Sequence, residues 1–188
     1  MPVTKRIFDI VVSLTALLVL SPILIIISMV ILIDDGLPVL FRQERVGKDG
    51  KLFKMNKFRS MVKNASELGT HQTSRNDARI TKLGKVLRKT SLDELPQLIN
   101  VLKGDMSIVG PRPNVLAQKE TFSNEHWDLR NKLPPGITGL AQVSGRSDCS
   151  LEERLNFDIK YIETQSFLLD LKIIFKTVYI VIFGKSSF

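Results

Sequence analysis

The stretch that decides the architecture is Ile10–Ile33, "IVVSLTALLVLSPILIIISMVILI", which runs 24 residues without a charge. At about 1.5 Å per residue such a helix reaches about 36 Å, enough for a bilayer. A cleaved signal peptide is a poor match: the run is too long, and no A-x-A-like site follows it. A buried helix of a soluble core is a poor match too, because the run has no polar face. Its centre carries Ser21-Pro22. Proline removes a backbone donor and clashes with the preceding turn, so a break is expected there, with the serine hydroxyl bonding freed carbonyls. Lys5 and Arg6 precede the run, and Arg42, Arg45, Lys48, Lys51 and Lys54 follow it. Positive residues mark the cytoplasmic side. Their presence at both ends favours a re-entrant helix-break-helix over the alternative, a kinked spanning helix. The expected division is a membrane segment over 1–34 and a cytoplasmic domain over 35–188.

The whole chain has 188 residues and a net charge of +8, which suits one domain with an anionic partner. Aromatic residues are only 7%, too thin for a nucleic-acid stacking platform. One cysteine and two distant histidines make neither a disulfide framework nor a zinc site.

Downstream, "LFRQERVGKDGKLFKMNKFRSM" reads as a β-hairpin around Asp49-Gly50. Asn64–Ala78 is polar and aperiodic, and is expected to be a mobile loop. "RITKLGKVLRKTSLDELPQLINVLKG" has helical apolar spacing on both sides of a break near Thr90–Pro96, with Gly104 as a stop. Two prolines hold Arg112 of "IVGPRP" in an extended or turned segment. "PPGITGLAQVSGR" is expected to be rigid and non-helical, followed by a helix from Ser150. "FLLDLKIIFKTVYIVIF" suits an amphipathic helix lying on a membrane surface, or else a core helix. The fold class expected is α+β, mostly helical.

"TSLDEL", Thr90–Leu95, places Asp93 and Glu94 side by side in this basic chain. Ser91-x-x-Glu94 matches a helix capping box, which would account for Glu94 without any chemistry. Pro96 weakens that reading, because it costs a helical hydrogen bond. Adjacent helical residues point about 100° apart, so the two carboxylates suit two separate tasks. One can attack phosphorus and the other hold a metal or orient the reacting atom. An anionic substrate would then need a hard cation such as Mg²⁺ and nearby arginines: Arg59, Arg88, Arg112 and Arg146 are available. Each arginine alone is as well explained by a solvated surface. No P-loop, dinucleotide fingerprint, nucleophile elbow or zinc motif competes.

Taken together, "FRQERVG", "FKMNKFRSM", "LRKTSLDELPQLINVLKGDMSIVGPRP", "PGITGLAQVSGR" and "FDIKYIE" resemble, in order and over nearly the whole chain, the monotopic phosphoglycosyl transferases. That is the bacterial sugar transferase family, here in the form of its short members. The resemblance implies transfer of a phospho-sugar from a UDP-sugar to a polyprenol phosphate, usually undecaprenyl phosphate, releasing UMP. It implies a ping-pong, Mg²⁺-dependent route through a covalent aspartyl intermediate at the bacterial inner membrane. It makes Asp93 the nucleophile and Glu94 a metal ligand, with Asp158 a further candidate on the metal or nucleotide. Lys57, Arg88 and Arg112 become candidate phosphate contacts, Arg146 a candidate on the nucleotide side, and Ser21-Pro22 the break in the membrane helix. A homodimer is left open. The competing class is a non-enzymatic basic adaptor on anionic lipid or a protein partner; a membrane phosphatase is a third.

Overall fold

The computed structural model describes residues 2–65, 68, 77–145 and 149–183. Helix α1 spans Val3–Asp35 and runs without interruption through Ser21 and Pro22. The break expected at Ser21-Pro22 is therefore not present. A proline costs one backbone hydrogen bond rather than the continuity of the helix, and the Ser21 hydroxyl donates to the Leu18 carbonyl at 2.8 Å.

Both ends of α1 are fastened to the folded body. Near the N-terminus Lys5, Asp9 and Ser13 are buried on one face. Lys5 Nζ lies 2.6 Å from Asp170 Oδ2. The Arg6 guanidinium donates to the carbonyls of Val101 and Leu102 at 2.6 and 2.8 Å. Toward the C-terminus Ile27 and Ile31 pack with Phe58 and Leu87. Arg59 then grips the chain as it leaves the helix, donating to the carbonyls of Asp35, Gly36 and Pro38. Between these anchors the outward face of α1 is apolar and exposed, as at Leu18, Val19, Ile25 and Ile26. Lys5 and Arg6, which sequence reading counted as topology signals, thus also serve as tertiary clamps.

Strands β1 (Leu40–Val46) and β2 (Leu52–Phe58) form the expected antiparallel hairpin, with Leu40 opposite Phe58 and Val46 opposite Leu52. At its tip Asp49 (φ 55°) and Gly50 (φ 77°) are both left-handed, as a type I′ turn requires. Helix α2 (Lys82–Lys89) starts at Thr81, whose hydroxyl caps the Gly84 N–H. Gly84 lies so close to Ser60 that a Cβ there would stand 2.0 Å from the Ser60 carbonyl oxygen. After a single turn at Leu92–Glu94, helix α3 (Gln97–Lys103) ends at Gly104, φ 93°.

Strand β3 (Ser107–Val109) pairs in parallel with β4 (Gly136–Thr138), a pairing that no periodicity in two three-residue strands could announce. Helix α4 (Asn124–Arg130) lies between them in sequence. Residues Leu140–Ser144 form a short helix, α5, which corrects the expectation of a wholly non-helical segment. The prolines at 134 and 135 restrict only their own neighbourhood, and nothing after Gly139 opposes a helical turn. Helix α6 (Leu151–Thr164) opens with a full capping box between Ser150 and Glu153. Helix α7 (Phe167–Phe183) buries Asp170 and Ile173 and leaves Leu168, Phe175, Tyr179 and Phe183 exposed. The main core gathers Met55 from β2, Leu98 and Val101 from α3, Ile108 and Val109 from β3, and Tyr161 and Ile173 from α6 and α7.

Candidate active site

The Asp93-Glu94 pair sits in the tight turn between α2 and α3. Ser91 adopts a left-handed conformation (φ 57°) with no side-chain cap, so the capping box considered from sequence does not form. Glu94 turns outward instead. Its Oε1 accepts from Lys57 Nζ on β2 at 2.7 Å and from Arg112 Nη2 at 3.0 Å. Its Oε2 has no hydrogen-bond partner among the described residues. Burial alone would push the Glu94 carboxyl up, but Arg112 and Lys57 outweigh it and hold it at about 2.

Asp93 is 7% exposed and makes no side-chain hydrogen bond among the described residues. Burial pushes its carboxyl up to about 6; Lys57, Arg88 and Arg112 pull down, while the Glu94 charge adds to the rise. One carboxylate is thus fixed as an anion, while its neighbour is left free and poised near neutrality.

Both carboxylates line a cleft of about 1030 Å³, together with Lys57, Arg88, Arg112 and Arg45. Arg88 is aimed by a hydrogen bond from its Nε to Ser60 Oγ at 2.9 Å. Gly84, one turn earlier, permits the close packing of α2 on Ser60 that brings the two together. Burial pushes Lys57 down, partly offset by Glu94. Arg42, Arg59, Lys63 and Arg79 also border the cleft, so eight cations face two carboxylates there, an excess of positive charge suited to an anionic ligand.

Of the sequence candidates, Asp93, Glu94, Lys57, Arg88 and Arg112 converge here. Arg59 also borders the cleft, but its guanidinium is spent on Asp35 and the carbonyls after α1. Arg146 lies outside the described residues, as does most of Asn64–Ala78. Asp158 stands apart from the cleft: it is 1% exposed on α6, and its Oδ2 accepts from Arg130 Nε at 2.7 Å. Sequence reading counted Arg45 only as a flanking charge. It lines the cleft, bonding the Pro113 carbonyl at 3.1 Å and Gln43 Oε1 at 2.6 Å. Burial and the nearby Arg112 lower it to about 10. The alternation of β1 offered a signal, since Gln43 and Arg45 share one strand face.

The bacterial sugar transferase family model matches residues 1–184, and the chain belongs to that family. The UDP-glucose:undecaprenyl-phosphate glucose-1-phosphate transferase of Klebsiella pneumoniae is 46% identical over 99% of this chain and 42% of its own length. The Escherichia coli K12 protein of the same name is 47% identical over 93% of this chain and 39% of its own length. The exopolysaccharide production protein ExoY of Sinorhizobium fredii is 39% identical over 99% of this chain and 88% of its own length. The chain therefore spans about two fifths of the first two relatives and most of the third.

Proposed function

We propose that this protein transfers a phospho-sugar from a UDP-sugar to undecaprenyl phosphate, releasing UMP, in two displacements on Asp93. The observation that carries this reading is a buried carboxylate with no hydrogen-bond partner, set among Lys57, Arg88 and Arg112 in an anion-sized cleft. Donor and acceptor classes follow the names of the glucose-1-phosphate transferases to which the chain is similar.

In the first displacement an Asp93 oxygen bonds to the phosphorus nearer the sugar. The bond from that phosphorus to the bridging oxygen breaks, and the bridging oxygen leaves with UMP. In the second, an oxygen of the lipid phosphate attacks the same phosphorus and the carboxylate is released. Phosphoryl transfer of this kind asks mainly for positioning and charge neutralisation. Arg88, Arg112, Arg45 and Lys57 supply that charge, and burial keeps the Asp93 carboxylate weakly solvated and reactive. Among the described residues no three ligating side chains cluster. Mg²⁺ takes one or two carboxylates and completes its shell with phosphate and water oxygens. Asp93 and Glu94 Oε2 are the oxygen donors that fit; the ion would add charge neutralisation on the diphosphate.

Location is part of the proposal. Helix α1 is long and apolar enough to cross a bilayer. Residues near both of its ends contact the same domain, which favours both ends lying on one side of the membrane. The exposed apolar face of α7 suits the same membrane surface. The adaptor reading accounts for the apolar surfaces but gives no reason for a buried, unpartnered aspartate.

The test is UMP release from a UDP-sugar in the presence of undecaprenyl phosphate. Wild-type protein should release UMP, and Asp93→Asn should fall to background. Activity retained by that variant removes Asp93 as nucleophile; phosphate release without UMP would point to a phosphatase.

A further inference from the structure

Arg112 is 46% exposed at its side chain, so packing does little to hold its guanidinium. Its backbone is held far more tightly. Pro111 and Pro113 fix φ on either side. Four successive carbonyls, from residue 111 to residue 114, each accept a hydrogen bond from a different donor. The Pro111 carbonyl accepts from Gly136 N–H of β4 and the Asn114 carbonyl from Val46 N–H of β1, both at 2.9 Å. Between them, the Arg112 carbonyl accepts from Arg130 Nη2 at 2.8 Å and the Pro113 carbonyl from Arg45 Nη1 at 3.1 Å. A carbonyl's direction reports ψ of its own residue. The prolines fix their own φ and Pro113 keeps Arg112 extended, so with these carbonyls held the segment has little freedom to turn, and Arg112 reaches from it to Glu94.

Arg130 has no place in the cleft itself. It is 4% exposed on α4, paired through Nε with the buried Asp158 and stacked over the Phe122 ring at 5.6 Å. A buried ion pair is poor at adding stability, since desolvation consumes much of the Coulombic gain. The other hydrogen bond of Arg130 runs to the main chain of Arg112, an exposed cation of the cleft.

We propose that Arg130, oriented by Asp158, is a positioning residue that sets the Arg112 guanidinium for the diphosphate of the donor. This rests on the phosphoglycosyl-transfer reading for the role of Arg112. Asp158 then acts at two removes from substrate, through Arg130 and the Arg112 carbonyl.

The test is a double-mutant cycle. Arg130→Met combined with Asp158→Leu removes both buried charges together, a change proteins often tolerate, whereas removing one leaves an unpaired ion. This paired substitution is made in the wild-type and Arg112→Ala backgrounds of the full chain. Thermal unfolding, UMP-release kinetics and calorimetric binding of inorganic pyrophosphate are then measured. The midpoint should shift by less than about 5 °C. In the wild-type background kcat/KM for the donor and pyrophosphate affinity should each fall at least about tenfold, and in the Arg112→Ala background by less than about twofold. Equal losses in both backgrounds, or no loss in a folded variant, overturn the proposal. Should the paired variant not fold, Arg130→Lys enters the same cycle: it keeps the charge beside Asp158 without the planar fork, and the same two outcomes decide. If wild-type protein releases no UMP, the transfer reading fails. The pyrophosphate cycle still decides the positioning role separately.

Discussion

At the scale of single residues, the proposed chemistry depends on the contrast between Asp93 and Glu94. Glu94 is held at about 2 by Arg112 and Lys57, and Asp93 is raised to about 6 by burial. Attack on phosphorus needs the carboxylate, so kcat/KM for the donor should rise tenfold per pH unit up to about 6 and then level. A pH profile of donor-dependent UMP release checks this; a limb near 4, the ordinary aspartate range, would contradict it. Stability should move the opposite way. Because the native pKa of about 6 exceeds the ordinary 3.8, the folded state holds this proton more tightly than the unfolded state. The destabilisation is complete above about pH 6 and vanishes as pH falls below about 4. Asp93→Asn should therefore stabilise the protein by about 1–3 kcal/mol at pH 8 and by nothing near pH 4, as read by chemical denaturation. The pair itself was legible in sequence, because two adjacent carboxylates between basic residues and a proline are unusual. What each does was not: Ser91-x-x-Glu94 has the spacing of a capping box, and only the left-handed Ser91 and the two cations on Oε1 decide against it.

At the scale of elements, the site is assembled by close approaches that leave little trace in a hydrophobic pattern. The hairpin, the helices flanking Thr90–Pro96 and the stop at Gly104 were readable, because each has local signals: Asp-Gly, apolar spacing, a terminal glycine. The β3–β4 pair and the clamp on residues 111–114 were not, since both join segments far apart in sequence at main-chain carbonyls, which leave no mark in the residue pattern. Gly84 belongs with these. In sequence it is one glycine in a short helix; in the fold it is the point where α2 touches Ser60, whose hydroxyl aims Arg88. Gly84→Ala forces a methyl against backbone. It should destabilise by about 1–3 kcal/mol, despite alanine's better helix propensity, and lower donor turnover as well. Denaturation and UMP-release assays check both. A variant as stable and as active as wild type would show that this contact is not what places Arg88.

At the scale of the whole molecule, a 33-residue apolar helix is tied at both ends to one basic domain. Sequence reading expected one-sided insertion from positive residues at both flanks; the proposal rests further on Lys5, Arg6 and Arg59, which tie residues near both helix ends to the same domain. Cysteines placed singly at Val3 and Leu37, with Cys149 replaced by Ser, should both stay unreactive to impermeant maleimide on intact cells and both react in inverted vesicles. Labelling of either from outside would contradict a shared side. In the proposed reaction a soluble donor and a lipid acceptor reach one carboxylate in turn, so the donor half-reaction should proceed without the acceptor. Its most direct test is to mix the protein with a labelled UDP-sugar alone, quench, digest, and locate the label by tandem mass spectrometry. The account predicts a phospho-sugar on Asp93, formed with one UMP per protein and discharged by undecaprenyl phosphate. A label on another side chain, or UMP appearing only when both substrates are present, would contradict it.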